Sequence, residues 1–213
     1  MRADKGQAAQ ELLVYDREVI GDAGLLAGVD EVGRGPLAGP VVGCAVVLPP
    51  DADLPGLDDS KKLSVQQREK LFDSIMSQAL SVSLASVGER LIDSIDILRA
   101  SILAMTWAVE SLDLEPDMLL VDGPYRLPAS CRQRALVGGD GISLSVAAAS
   151  VIAKVTRDEL MIRLDETYPH YRFQTNKGYG TQSHLEALSR HGPCPAHRYS
   201  FAPVKISAQR SLI

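Results

Sequence analysis

Short apolar runs, broken by glycine and acidic residues, follow a polar first segment. "LLAGVDEV" and "GPVVGCAVVLP" are rich in strand-forming residues and flank a glycine-containing turn. They predict a hairpin, with one strand near residues 25–32 and the next near 40–48. "PPDADLPGLDDSKKLS" is dense in Pro, Asp and Ser and reads as a loop. "SVQQREKLFDSIMSQA" reads as a helix capped by Ser64, and "LSVSLASVG" alternates as a strand does. Ile95, Leu98, Ile102, Met105, Val109 and Leu112 recur at steps of three and four. That spacing predicts one apolar stripe turned toward a sheet, with Trp107 off it or on its edge. "DMLLVDG" and "CRQRALVGGD" are strands that run into an aspartate. "SLSVAAASVIAKVTRDELMIRLDETYP" is a long helix stopped by Pro169, and its Ala- and Ser-rich first half suits close approach to a sheet. "TQSHLEALSRHGP" is a last helix, capped by Thr181 or Ser183 and stopped at Gly192-Pro193.

An antiparallel opening followed by helical crossovers predicts an α/β fold: a mixed five-stranded sheet with helices on both faces and a C-terminal helical segment. The 213 residues suit a single domain, with 1–24 as an N-terminal arm and 191–213 as a C-terminal segment ending in a mobile tail. Apolar residues make up 46% and charged residues 23%, which fits a packed globular chain. No apolar run reaches the roughly 18–20 residues of a membrane span. Cys44, Cys131 and Cys194 are odd in number and lack CxxC spacing. They read as reduced thiols, so the expected location is cytoplasmic.

Charge changes the picture. The net value of −5 argues against indiscriminate nucleic-acid binding, but it averages two unlike parts. Residues 1–121 carry a balance of −10 and residues 122–213 a balance of +5, so the second part could face phosphate.

Carboxylates sit at strand ends: Asp30 and Glu31 in the first strand, Asp122 after "MLLV", Asp140 after "RALVGG", with Asp158 on the long helix. Singly, each has an ordinary reading as a turn, cap or ion-paired residue. Together, strand ends at one edge of an open α/β sheet converge on a crevice. Like charges about 4 Å apart repel by about 4 kcal/mol at an effective dielectric near 20. Such a cluster persists as anions only around cations, and all-oxygen ligands favour Mg²⁺ or Mn²⁺ over zinc. Two such ions would clamp a phosphodiester, one activating water and the other stabilising the leaving oxygen.

"GVDEVGRGPLAGPVV", "DDSKKLS", "LLVDG", "SVAAASVIAKVTRD", "NKGYGT" and "HRYSFAPV" together resemble the ribonuclease HII family, the bacterial type 2 ribonucleases H, from about Leu25 to Val204. The resemblance implies a ribonuclease H-like fold and a divalent-metal endonuclease. It implies cleavage of RNA in RNA–DNA hybrids and incision 5′ of ribonucleotides embedded in duplex DNA, leaving 3′-hydroxyl and 5′-phosphate ends. It implies Asp30, Glu31, Asp122 and Asp140 as metal ligands, with Asp158 as an accessory one. Gly33, Arg34 and Gly35 match the family's junction-reading motif, and Tyr179 its substrate-sensing tyrosine. A 2′-hydroxyl is what distinguishes RNA, and bare glycine backbone can reach it. Lys61, Lys62, Lys154, Arg157, Lys177 and His184 are candidate phosphate contacts, His184 because it lies near a helix start. The family expectation is a monomer acting on nucleic acid, without a membrane partner. Two other readings are a DNA-only nuclease on the same fold and a non-catalytic binding protein. The GRG and GYGT motifs argue against the first and the complete carboxylate set against the second.

Overall fold

The computed structural model describes residues 5–21 and 24–210. Its sheet has the order β3-β2-β1-β4-β5. β1 (Leu26–Val32) pairs antiparallel with β2 (Val41–Val47), and β2 with β3 (Ser81–Val87). β4 (Met118–Asp122) and β5 (Arg132–Leu136) add on in parallel beyond β1. The expected mixed five-stranded sheet is therefore present, and the parallel half aims the ends of β1 and β4 the same way.

Alternation along β1, β2 and β4 divides the core. Val42, Cys44 and Val46 pack beneath α5 (Leu144–Thr167), α1 (Lys5–Ile20) and α2 (Val65–Gln78). Leu26 and Leu120 face the same way, onto Val146 of α5. Ala27, Val29, Ala45, Val47, Leu119 and Val121 face the opposite layer, against Met105 and Ala108. Every residue from Leu144 to Ala153 is buried. The small residues of that stretch let α5 lie directly on β1. At Gly28 any Cβ would run into the Ser145 carbonyl, so only glycine permits this approach.

Ser64 caps α2 in a capping box with Gln67, and Thr181, not Ser183, caps α7 (Gln182–His191). The helix predicted around Ile95–Leu112 divides. α3 (Glu89–Ile95) ends at Asp96, whose φ of 74° breaks the helix while its side chain accepts from the Arg99 amide and caps α4 (Ile97–Glu110). Ala100, Ala104, Met105 and Ala108 form the buried face of α4, and Ile102, Val109 and Leu112 only flank it. A small-residue face wins because α4 crosses the sheet at Gly43, close to the Ala104 backbone.

The N-terminal arm is helical: α1 sets Leu12 and Leu13 in the core, and Asp16 Oδ2 accepts from the Ser145 amide at 2.8 Å. That carboxylate meets the positive end of α5. The C-terminal segment is helical, continuing after a short helix, α6 (Phe173–Asn176), and α7 into α8 (Ala202–Arg210), which buries Val204; the end of the expected tail lies outside the described residues. No helix among the described residues is long and apolar enough to cross a membrane.

Candidate active site

Asp30 and Asp122 lie one step past the register pair Val29↔Val121, on the α5 face of neighbouring parallel strands. Asp30 is 6% exposed. Its Oδ1 accepts from the Glu31 amide at 2.7 Å and its carboxylate bonds the Ser150 hydroxyl on α5. Burial, then the charges of Glu31 and Asp122, push its pKa well above the usual carboxylate range. Glu31 is also raised, chiefly by burial, although Arg34 beside it acts in the opposite direction. Asp122 Oδ1 accepts from the Gly139 amide at 2.7 Å. Asp140 is the next residue. It is buried in a 3-10 turn (Gly139–Gly141), not on the strand, which ends at Leu136. The turn folds back under β4, so the Gly139 bond carries Asp140 to the strand ends.

The donor set is all oxygen, and buried negative charge accumulates at Asp30, which suits a hard divalent cation. Among the described residues, however, no three Asp, Glu, His or Cys side chains stand in a finished metal-holding group. Glu31 is drawn toward Arg34 (3.3 Å) and Asp122 toward Gly139.

Gly33, Arg34 and Gly35 continue directly from β1. Gly33 has φ of 99°, and a Cβ there would strike the Arg157 guanidinium. Gly35 lies against the Tyr179 ring, where a Cβ would stand at ordinary contact distance, 3.6 Å. The Leu37 amide donates to Gly178 O at 2.7 Å, tying the two glycine loops together. Arg34 is exposed, pairs with Glu31, and sits 5.9 Å from the centre of the Tyr125 ring. Tyr179 is 43% exposed.

The candidate phosphate contacts fare unevenly. Lys62 pairs with Asp58 at 2.9 Å and lies in the field of Asp140, so it borders the acidic site. The side chain of Lys61 lies outside the described residues. Ser60 Oγ is 2.9 Å from Ser150 Oγ, which docks this loop beside Asp30. Lys154 is held by Asp158 at 2.6 Å, so Asp158 is engaged with its helix neighbour and not with the strand-end acids. Lys177 is half-buried and donates to Gln174 O at 2.7 Å.

Two assignments are corrected. Arg157 is fully buried and donates to the carbonyls of Pro40, Ala38 and Lys177 at 3.0–3.1 Å. It is an internal strut between the two glycine loops. His184 is also fully buried. It faces inward from the first turn of α7, Nδ1 2.9 Å from Tyr179 O and Nε2 2.9 Å from His197 Nε2. The apolar bed of Tyr171 and Phe173 around it leaves no path to phosphate.

Sequence reasoning assigned no role to Arg198. Its guanidinium is buried and donates to Gly33 O (2.6 Å), Arg34 O (3.1 Å) and Gly39 O (2.7 and 2.9 Å). Burial lowers its pKa to about 9. Its place in "HRYSFAPV" was the available signal, but nothing local distinguishes a buried arginine from a surface one.

Comparison with known proteins gives the family. The family described as Ribonuclease HII matches residues 27–204. Proteins named Ribonuclease HII from Burkholderia mallei (strain SAVP1) and Burkholderia thailandensis are each 48% identical over 204 residues, covering 96% of this chain and 94% of theirs. The crystal structure of the ribonuclease H2 from Pyrococcus horikoshii OT3 superposes with a TM-score of 0.74 at 28% identity, covering 87% of this chain and 98% of that one. The RNase HII in the PCNA:RNase HII complex from Archaeoglobus fulgidus gives 0.69 at 27% identity, covering 82% and 93%. A Bst-RNase HIII in complex with Mn²⁺ shares the fold at 20% identity and a TM-score of 0.68, covering 97% and 74%.

Proposed function

The chain belongs to the ribonuclease HII family and is a ribonuclease H endonuclease of RNA–DNA hybrids, and from that premise we propose that it also incises duplex DNA 5′ of embedded ribonucleotides, leaving 3′-hydroxyl and 5′-phosphate ends. One observation carries the reading: β1, which sets buried Asp30 beside Asp122 of β4, runs without a break into the glycine loop that meets Tyr179.

Asp30, Glu31, Asp122 and Asp140 would hold Mg²⁺ or Mn²⁺, two ions in the full site, and this charge would offset the negative charge that develops on the phosphodiester. The protein's own residues do the rest. Asp30 is held by the Glu31 amide and lies beside the Ser150 hydroxyl. Asp122 is fixed by the Gly139 amide. The backbone at Gly33 and Gly35 can approach a ribose edge, and a site built to hydrogen-bond a hydroxyl rejects the analogue lacking it by about 10⁴–10⁵. Tyr179 offers an exposed ring beside that backbone for the adjoining deoxynucleotide sugar. Lys62, in the field of Asp140, and Lys177, in the field of Asp158, suit backbone phosphates. The role is removal of ribonucleotides from DNA by a cytoplasmic monomer.

The test is cleavage of duplex DNA carrying one ribonucleotide, with Mg²⁺, with Mn²⁺ and with neither. Cutting on the 5′ side of the ribonucleotide with metal, and none in a matched all-DNA duplex, is expected. No cut with either metal overturns the proposal, and equal cutting of all-DNA duplex points to a DNA nuclease instead.

A further inference from the structure

Behind Tyr179 lies a buried chain of polar groups that the cleavage chemistry does not use. His184 Nδ1 is 2.9 Å from Tyr179 O, His184 Nε2 is 2.9 Å from His197 Nε2, and His197 Nδ1 is 3.0 Å from the Cys194 amide nitrogen. Both rings are buried among Tyr171 and Phe173.

The two ends determine the protons independently. A carbonyl oxygen only accepts, so His184 carries its proton on Nδ1 and leaves Nε2 as an acceptor. A backbone amide only donates, so His197 Nδ1 is bare and its proton is on Nε2. Those two results meet at the central contact as one donor and one acceptor. Cys194 O, 3.3 Å from His197 Nδ1, would ask for the other tautomer, but the closer amide and the His184 end both exclude it. The Cys194 thiol, 3.1 Å from the same nitrogen, can donate to it as the amide does.

We infer that His184 and His197 are positioning residues for Tyr179: a one-directional hydrogen-bond chain from the Cys194 amide sets the backbone of the junction-sensing tyrosine, and with it discrimination between a lone ribonucleotide in DNA and a continuous hybrid. The neighbouring residues fit this role. Ala38 bridges to His197, and Arg198, next in sequence, holds the carbonyls of Gly33 and Arg34. One short segment thus references the glycine loop and the tyrosine to each other. Without the His184 bond, Tyr179 would keep its amide bond to Asn176 O and its carbonyl would keep the Thr181 amide at 2.8 Å, but that carbonyl would lose its second partner and with it the tie to His197.

This inference rests on the reading of Tyr179 given above, and the experiment separates the two. The readout is the ratio of kcat/KM on a single-ribonucleotide duplex to that on a uniform hybrid. Asn places a donor near the position of Nδ1, whereas Gln reaches only the position of Nε2. His184→Gln is expected to lower the ratio about tenfold, the factor one ordinary net hydrogen bond carries. His184→Asn is expected to restore it to within about threefold of the wild type on the same scale. In a Tyr179→Ala background, His184→Gln should change the ratio no further. If both His184 variants lower the two rates equally, the histidines are merely structural and the inference is wrong. If Tyr179→Ala itself leaves the ratio unchanged, the reading of Tyr179 falls and takes the inference with it. Should the variants not fold, ¹⁵N spectra of the wild-type histidines decide. His184 as the Nδ1–H tautomer and His197 as the Nε2–H tautomer are expected, and the reverse pair overturns the chain.

Discussion

Arg198 shows how much one side chain can determine in this site. Its guanidinium joins carbonyls of Gly33, Arg34 and Gly39, three positions on the loop that leaves β1. Lysine has one nitrogen and cannot span them. Arg198→Lys should cost about 3 kcal/mol in urea unfolding, since charge-assisted bonds are lost and buried carbonyls are left bare. Asp122 poses the opposite case. It raises the proton affinity of Asp30 and Glu31 by repulsion, while its one described hydrogen bond accepts from Gly139. Asn keeps an acceptor there and removes the charge. Asp122→Asn should abolish turnover yet leave the metal-free melting temperature equal or higher; a large drop would contradict the repulsion argument.

At the scale of elements, the site depends on how closely α5 lies on β1. Gly28 permits that contact, and Ser150, further along the same helix, supplies the hydroxyl that holds Asp30. Gly28→Ala would push the helix off the strand, an overpacking cost of about 1–3 kcal/mol or more. Activity should fall beyond what the stability loss explains, because Ser150 moves with α5. A variant that melts lower but cleaves normally would show that the hydroxyl is dispensable. The long helix and its small-residue face were legible because Ala and Ser report close packing directly. The break at Asp96 was not, because Asp96 is the rare non-glycine residue with positive φ, and apolar spacing runs through it unchanged.

In the whole molecule two sets of buried groups respond to pH with opposite sign. Burial and His184 lower the pKa of His197 to about 4 from 6.5, so the unfolded chain binds the extra proton between those values. Its contribution therefore falls by up to about 1.4 kcal/mol per unit as pH drops from 6.5 toward 4. Asp30 and Glu31 are raised, so they bind protons more readily when folded and gain stability as pH falls toward their ordinary range. Asp30→Asn removes the more strongly raised group. Urea titrations of that variant, metal-free, should show stability falling with acidification across the histidine window; a flat profile would contradict a neutral His197. The charge asymmetry makes a second whole-molecule prediction. Lys177→Ala should weaken binding to all duplexes and reduce the salt slope by about one.

The sequence by itself determined the opening hairpin, the long Ala-rich helix, the carboxylates at or near strand ends and the two glycine motifs. Each of these is written in local spacing or in residue types with one dominant use. Only the tertiary structure decided which basic residues face outward. Arg157 and His184 looked like phosphate ligands by type and position, yet both point inward, and Arg198 and His197, given no role of their own in the sequence, hold the loop after β1 and the buried face of α7. The physical reason is that burial of a polar side chain is set by partners distant in sequence: carbonyls of residues 33–40 for the arginines, and the amide of Cys194 and carbonyl of Tyr179 for the histidines. No periodicity records where such partners come to lie.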